Sequence, residues 1–319
     1  MRVAVVGLFR DVPQRDSAEM PRDAAFGFLS EGEGSRLRAT VYRAFAERGY
    51  EVTVFGTHVT DDSGNEFGLF NIAAACHNAT AGPEVWSELI ERHVELVLRS
   101  IDSTDERASM PTDELWSLLY PKMVGDDQLN TGGDEYSYAP ELSPGLHAAL
   151  ALDMPDSVHT LPWQSLTDIG DLEQVRARAM DNLRALPIDQ HDVIEDEDGT
   201  QFDVVVGDSY LTASWALLLD ELVAKVGGAP LGDDGALLAV PFRHLVAFHA
   251  IEGPRLIPSL NAMAGFAAAE YADQPGSISP YVFWWRRGRW TQLTRIDDEG
   301  LAIVVDEEFH EVLERMVGE

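Results

Sequence analysis

The stretch QFDVVVGDSYLTASWALLLDEL, Gln201 to Leu222, changes its hydrophobic period partway through, and this constrains the fold more than any other feature. Phe202 and Val204 to Val206 read as a buried strand behind an acidic turn. Trp215, Leu218, Leu219 and Leu222 fall on one helical face. Only Gly207-Asp208-Ser209-Tyr210 and a few small residues separate the two patterns. A chain that passes so quickly from strand to helix needs a mixed architecture, neither an all-helical bundle nor an all-β sandwich.

The same alternation continues on both sides. SRLRATVYRAFAER (35–48) places Leu37, Val41, Ala44 and Phe45 on one helical face, and Gly49 stops it. YEVTVFGTHVT alternates like a half-buried strand, and DDSGNEFGLFNIAAAC turns into the next element. PEVWSELIERHVELVLRS predicts a helix with Val85, Leu89, His93, Leu96 and Val97 as its apolar stripe. DLEQVRARAMDNLRAL (171–186) predicts another, with Val175, Ala179, Leu183 and Leu186 inward. GALLAVPFRHLVAFHAI reads as two strands bent at Pro241, or as one interrupted strand. PSLNAMAGFAAAEYAD is an alanine-rich helix, and SPYVFWWRRGRWTQL a hairpin turning near Arg287-Gly288. A last strand, GLAIVVD, leads into the helix EEFHEVLERMV.

These elements predict an α+β fold of two similar-sized lobes, each an antiparallel sheet flanked by helices. The expected lobes are 1–110 and 146–319. Between them, 111–145 is polar and rich in Gly and Pro, and reads as a linker carrying one short helix at 112–120. DSGNEFG (62–68) and EDGTQFD (197–203) echo each other, as an internal duplication of an α-β-β-α unit would require. Two similar hairpin turns arising separately explain the echo as well. The start, MRVAVVGLFRD, is at the short limit for a signal-peptide core between its arginines and no small-residue cleavage site follows, so it reads as a buried strand; the role of residues 1–34 is not legible.

Charge narrows the function classes. The chain has 55 acidic and 23 basic residues, a net charge of −32. Residues 51–250 alone hold 36 acids and 9 bases. Such a surface repels nucleic-acid phosphates and anionic lipid, and suits either simple solubility or a basic protein partner. No apolar run reaches the roughly 20 residues of a membrane-spanning helix. The single cysteine, Cys76, excludes an internal disulfide and fits the cytoplasm. Only Lys122 and Lys225 among the basic residues are lysine, which suggests a GC-rich coding bias.

Four chemistries have partial motifs in the sequence. Gly207-Asp208-Ser209 has the local context of a serine hydrolase, with His159, His244 or His249 as candidate base. Such an enzyme also needs an Asp three residues before its base histidine and an Asn block for the oxyanion. Downstream of Ser209 there is neither; Asp156-Ser157-Val158-His159 lies upstream. The pattern therefore favours a fold element, with Gly207 permitting a turn and Asp208 or Ser209 capping a helix. Metal motifs fail: the nine histidines form no His-Glu-x-x-His, and IEDEDGTQFDV misses both terminal ligand positions of a calcium loop. RVAVVGLFRD lacks the glycines of a dinucleotide or phosphate loop. Finally, YVFWWRRGRW joins Trp284, Trp285 and Trp290 to Arg286, Arg287 and Arg289, which could hold a phosphate or a stacked base. A hairpin with one core face explains that patch equally well.

Several stretches in order resemble the YtpQ-like proteins, a bacterial family of unknown function. They are FGLFNIAAAC with WSELIERHVELVL, LWSLLYPKMV, ALALDMPDSVHTLPWQSLTDIG with ARAMDNLRALP, and VVVGDSYLTASWALLLDEL with GALLAVPFRHLVAF. The resemblance covers roughly 60–270 and departs at PFRH, where relatives more often carry Asp after the Arg. It implies a cytoplasmic α+β protein whose Gly-Asp-Ser turn is a fold element, and it carries over no catalytic residues. The expectation is thus a non-enzymatic protein that binds a macromolecular partner through its acidic surface, as an adaptor, chaperone or immunity-type inhibitor. No cofactor, metal-ligand set or catalytic residue is assigned. The alternatives are a Ser209 hydrolase and a phosphate-ligand site at the hairpin 281–290.

Overall fold

The structure is a computed structural model that describes residues 21–62, 66–129, 134–154, 157–197, 199–297 and 300–317. The expected strand in MRVAVVGLFRD lies outside the described residues, as do positions 63–65 of the DSGNEFG echo. The fold is α+β. It comprises a first unit ending at Ile101 and a second, about twice as long, from Asp102 to Glu319, in place of two similar-sized lobes.

In the first unit, helix α1 (Glu31–Glu47) begins four residues before the apolar stripe predicts. The cause is a reciprocal cap: the Ser30 hydroxyl accepts from the Glu33 amide while the Glu33 carboxylate accepts from the Ser30 amide. Leu37, Val41, Ala44 and Phe45 are buried as expected. The half-buried stretch after α1 is two strands, β1 (Val52–Val54) and β2 (His58–Asp61). With β3 (Glu66–Gly68) they form a three-stranded antiparallel sheet. Helix α2 (Phe70–Asn78) follows, then α3 (Trp86–Ser109). The core-facing row of α3 is Trp86, Ile90, Val94 and Leu98. The row expected from sequence, including Val85, Leu89 and His93, flanks it half-buried. Apolar residues cover a wide arc of this helix, so its packing partners choose the row. Trp86 is held by a bond from its indole N–H to the Cys76 carbonyl at 2.8 Å. Burial pushes the Cys76 thiol up to about 12, which leaves it unreactive.

The second unit opens in the region expected to be a linker. The short helix is present as α4 (Thr112–Ser117), but β4 (Leu119–Gly125) follows at once, with Leu119, Met123 and Val124 buried. The Gly- and Pro-rich composition around it hid a strand of only seven residues. After α5 (Asp126–Leu129) come β5 (Glu141–Ser143), β6 (Leu146–Met154) and β7 (Ser157–Thr160). Strand β6 pairs antiparallel with β4, β5 and β7. Helices α6 (Trp163–Ile169) and α7 (Leu172–Ala185) follow. The α7 face is Val175, Ala179 and Leu183, as the spacing predicts, and Asp171 caps its first turn.

A six-stranded antiparallel sheet forms the centre of the rest. It contains β8 (Gln190–Glu195), β9 (Gln201–Val206), β10 (Ala236–Ala239), β11 (Leu245–Ala250), β12 (Val282–Arg286) and β13 (Arg289–Gln292). Their order is β13-β12-β10-β11-β9-β8. Both faces are covered, which is why its central strands read as continuous apolar runs. Val205, Leu238, Val246 and Phe283 meet a 3-10 turn (Thr212–Leu218) and helix α8 (Leu219–Lys225), with Trp215 fully buried. Val204, Leu237, Ala247 and Trp284 meet α9 (Leu256–Asp273) on the other side. The hairpin β14 (Thr294–Asp297) and β15 (Gly300–Ile303) leads to α10 (Glu307–Val317), whose Phe309 and Val312 close that second face. Among the described residues no helix is long and apolar enough to cross a membrane.

Candidate functional site

The Gly-Asp-Ser turn is laced to a second turn, Pro241-Phe242-Arg243-His244, between β10 and β11. The Gly207 amide donates to the His244 carbonyl at 3.1 Å, and the Ala213 amide to the Arg243 carbonyl at 3.0 Å. A β-carbon on residue 207 would lie 2.6 Å from Thr212 Oγ1 and 2.8 Å from Asp189 Oδ2, so close approach requires glycine there. The Asp189 carboxylate accepts from the Asp208 amide at 2.9 Å. Ser209 Oγ accepts from the Leu211 amide at 3.1 Å, and its carbonyl accepts from the Thr212 hydroxyl. The serine therefore shapes the turn two residues ahead of it, rather than capping α8.

His244 is the candidate base nearest this turn, and both its ring nitrogens are engaged. Nδ1 meets the Gly207 carbonyl at 2.9 Å, and Arg243 Nε donates to Nε2 at 3.1 Å. That pattern requires the neutral ring with its proton on Nδ1. Burial and the Arg243 charge hold its pKa below the usual histidine value, in agreement. His159 lies on β7, and His249 on β11 is buried with Nε2 lacking a partner among the described residues.

The hairpin residues are spent on the fold. Trp284, Trp285 and Trp290 are 2%, 7% and 8% exposed, so no indole face is left for a stacked ligand. Arg286 and Arg289 pair with Glu308, and Arg287 with Asp233. The calcium-like stretch is the β8–β9 turn, closed by Gly199 at φ +94°. Among the described residues no group of three or more His, Cys, Asp or Glu is arranged to hold a metal ion.

Two cations behave differently from the paired arginines. Arg243 is half-buried, and its guanidinium carbon sits 3.9 Å from the Tyr210 ring centroid. Its backbone amide donates to the Gly276 carbonyl. Gly276 has φ +78°, and a β-carbon there would lie 2.5 Å from Arg243 Cδ, so this glycine makes room for the side chain. With Nε committed to His244, the two terminal guanidinium nitrogens have no acceptor among the described residues.

Lys122 is the second cation. It sits half-buried in β4, whose next residue, Met123, donates its amide to Ser214 Oγ beside Ala213. Lys122 Nζ donates to Thr160 Oγ1 at 3.0 Å and has no carboxylate within 4 Å among the described residues. Burial, with the nearby Arg243 charge, pushes its pKa down to about 8. Both cations are half-buried, and the Arg243 charge disfavours the protonated form of Lys122, a repulsion that a bound anion would relieve.

Neither Lys122 nor Arg243 was singled out from sequence. The available signal was a lone lysine among the apolar residues of LLYPKMV, obscured by reading that stretch as linker. Comparison with family models, curated proteins and solved structures gives no match to this chain.

Proposed function

We propose that this protein binds a small ligand bearing an oxyanion, carboxylate or phosphate, at Lys122 and Arg243. The observation that carries the reading is the Arg243 fork, held by Tyr210, His244 and Gly276 yet lacking an acceptor on its terminal nitrogens. A planar fork of this kind suits two-point binding of carboxylate or phosphate, and Lys122 adds a second charge. The overall charge of −32 does not cancel this field. Exposed carboxylates are screened beyond roughly 8 Å in physiological salt, whereas half-buried charges are screened far less.

Thermal unfolding with phosphate, sulfate, acetate and 2-oxo acids tests the reading. A ligand at one hundred times its Kd stabilises the folded state by about 2.7 kcal/mol. Arg243→Gln is expected to weaken that ligand about tenfold or more, about 1.4 kcal/mol, while the exposed Arg289→Gln leaves it unchanged. A wild-type chain stabilised by no member of the panel overturns the reading.

A further inference from the structure

The six-stranded sheet has two edges, and they end differently. Strand β13 lies against β5, and its Arg289 is paired with Glu308. Strand β8 has β9 on one side and no strand on the other. The hydrogen-bond alternation fixes which of its backbone groups face out. Across the β8–β9 turn the Asp196 amide donates to the Thr200 carbonyl, whereas the Gly207 amide, at the far end of β9, donates away from β8 to the His244 carbonyl. Gln190, Asp192 and Ile194 therefore bond inward to Val206, Val204 and Phe202. His191, Val193 and Glu195 turn their amides and carbonyls outward, and no described residue bonds to these groups. Such a row is a template for one more strand.

Charge selects what can occupy that template. Residues 189–198 contain six acids and no lysine or arginine. Glu195, Asp196 and Glu197 are exposed, and neither they nor the half-buried Asp192 pair with lysine or arginine among the described residues. On the hairpin side, by contrast, Asp233, Asp234 and Glu308 are each matched by an arginine. Val193, in the middle of β8, is an apolar side chain left 45% exposed. A second copy is a poor occupant. Two β8 strands pairing antiparallel about Val193 would bring Glu197 opposite Asp189 and double the acid load, and like charges directly opposite destabilise a strand pair. The same acids attract a basic strand. We propose that β8 accepts an extended basic segment of another protein as a seventh strand of the sheet. The residues facing Glu195, Ile194, Val193 and Asp192 then read basic, apolar, apolar, basic. That order is the same for either strand direction. This edge involves neither Lys122 nor Arg243 and stands apart from the oxyanion reading.

A fluorescent peptide containing Lys-Val-Ile-Arg between Gly and Ser flanks is titrated with the full chain and followed by anisotropy. Saturable binding is expected at low salt, weakened about tenfold at about 0.3 M salt. Backbone pairing is separated from charge attraction by a second peptide, N-methylated at all four of those residues. It keeps every side chain and charge but cannot donate to a strand, and is expected to bind about tenfold more weakly or worse. Val193→Pro removes an outward amide and spares the inner ladder, so it is expected to lose the peptide while unfolding near the wild-type midpoint. Asp192→Asn with Glu195→Gln, which leaves the backbone unchanged, is expected to weaken the peptide about tenfold. Should Val193→Pro fail to fold, the methylated peptide on the wild-type chain and this double variant still decide. No saturable binding at low salt overturns the inference. So does equal affinity for the two peptides, which would mean attraction to surface charge alone. A wild-type dimer that Val193→Pro dissolves, seen by sedimentation, would make a second copy the occupant and overturn it as well.

Discussion

His249 shows how far one side chain's behaviour depends on its surroundings. It is 6% exposed on β11, and burial pushes its pKa down to about 4. The ring is therefore neutral in the folded chain, whereas the unfolded chain takes up a proton near pH 6.5. Protonation favours unfolding, so the stability tied to this residue is complete above pH 6.5 and is lost as the pH falls toward 4. Between pH 7 and 4.5 the wild type is expected to lose about 2–3 kcal/mol more than His249→Leu, read by urea unfolding at both values. Equal losses in the two proteins would refute this. The sequence shows nine histidines without distinguishing them. His244, five residues earlier, lies in a turn with both nitrogens bonded, and only the fold separates it from His249.

Among elements, turns were more legible than faces. Arg287-Gly288 was readable as a hairpin turn, and both residues adopt positive φ, 50° and 81°, as a tight two-residue turn requires. The inward face of α7 was readable because its apolar residues form one narrow row. The α3 face was not, because several rows were apolar, and β4 was missed because its neighbours have loop composition. Gly235 makes a demand that only strand pairing reveals. It has φ +72°, and a β-carbon there would lie 2.1 Å from the Trp285 carbonyl oxygen of β12. Gly235→Ala is expected to destabilise the chain by about 2–4 kcal/mol, since backbone of the central sheet must move. The exposed Gly232→Ala, with open space at that position, is the control in denaturant titration. Similar midpoints for the two variants would contradict the argument.

At the scale of the molecule, charge and packing answer different questions. A net charge of −32 predicts self-repulsion in the folded state. Raising sodium chloride from low to physiological levels and beyond is expected to raise Tm by about 3–6 °C, equivalent to about 1–2 kcal/mol. A salt-independent Tm would show that the acidic surface is already balanced by its local ion pairs. The sequence by itself determined the mixed α+β class, the strand-turn-helix at Gly207 and most helix and hairpin positions. Those depend on local periodicity and on backbone angles that few residues tolerate. Tertiary structure alone decided which row of α3 is buried, that the tryptophans of the hairpin belong to the core, and that the charge of Arg243 acts on Lys122. Those two residues are 121 positions apart in the chain. The 3-10 turn connects their neighbourhoods, since Ser214 accepts from the Met123 amide and Ala213 donates to the Arg243 carbonyl, long-range bonds that no local pattern encodes.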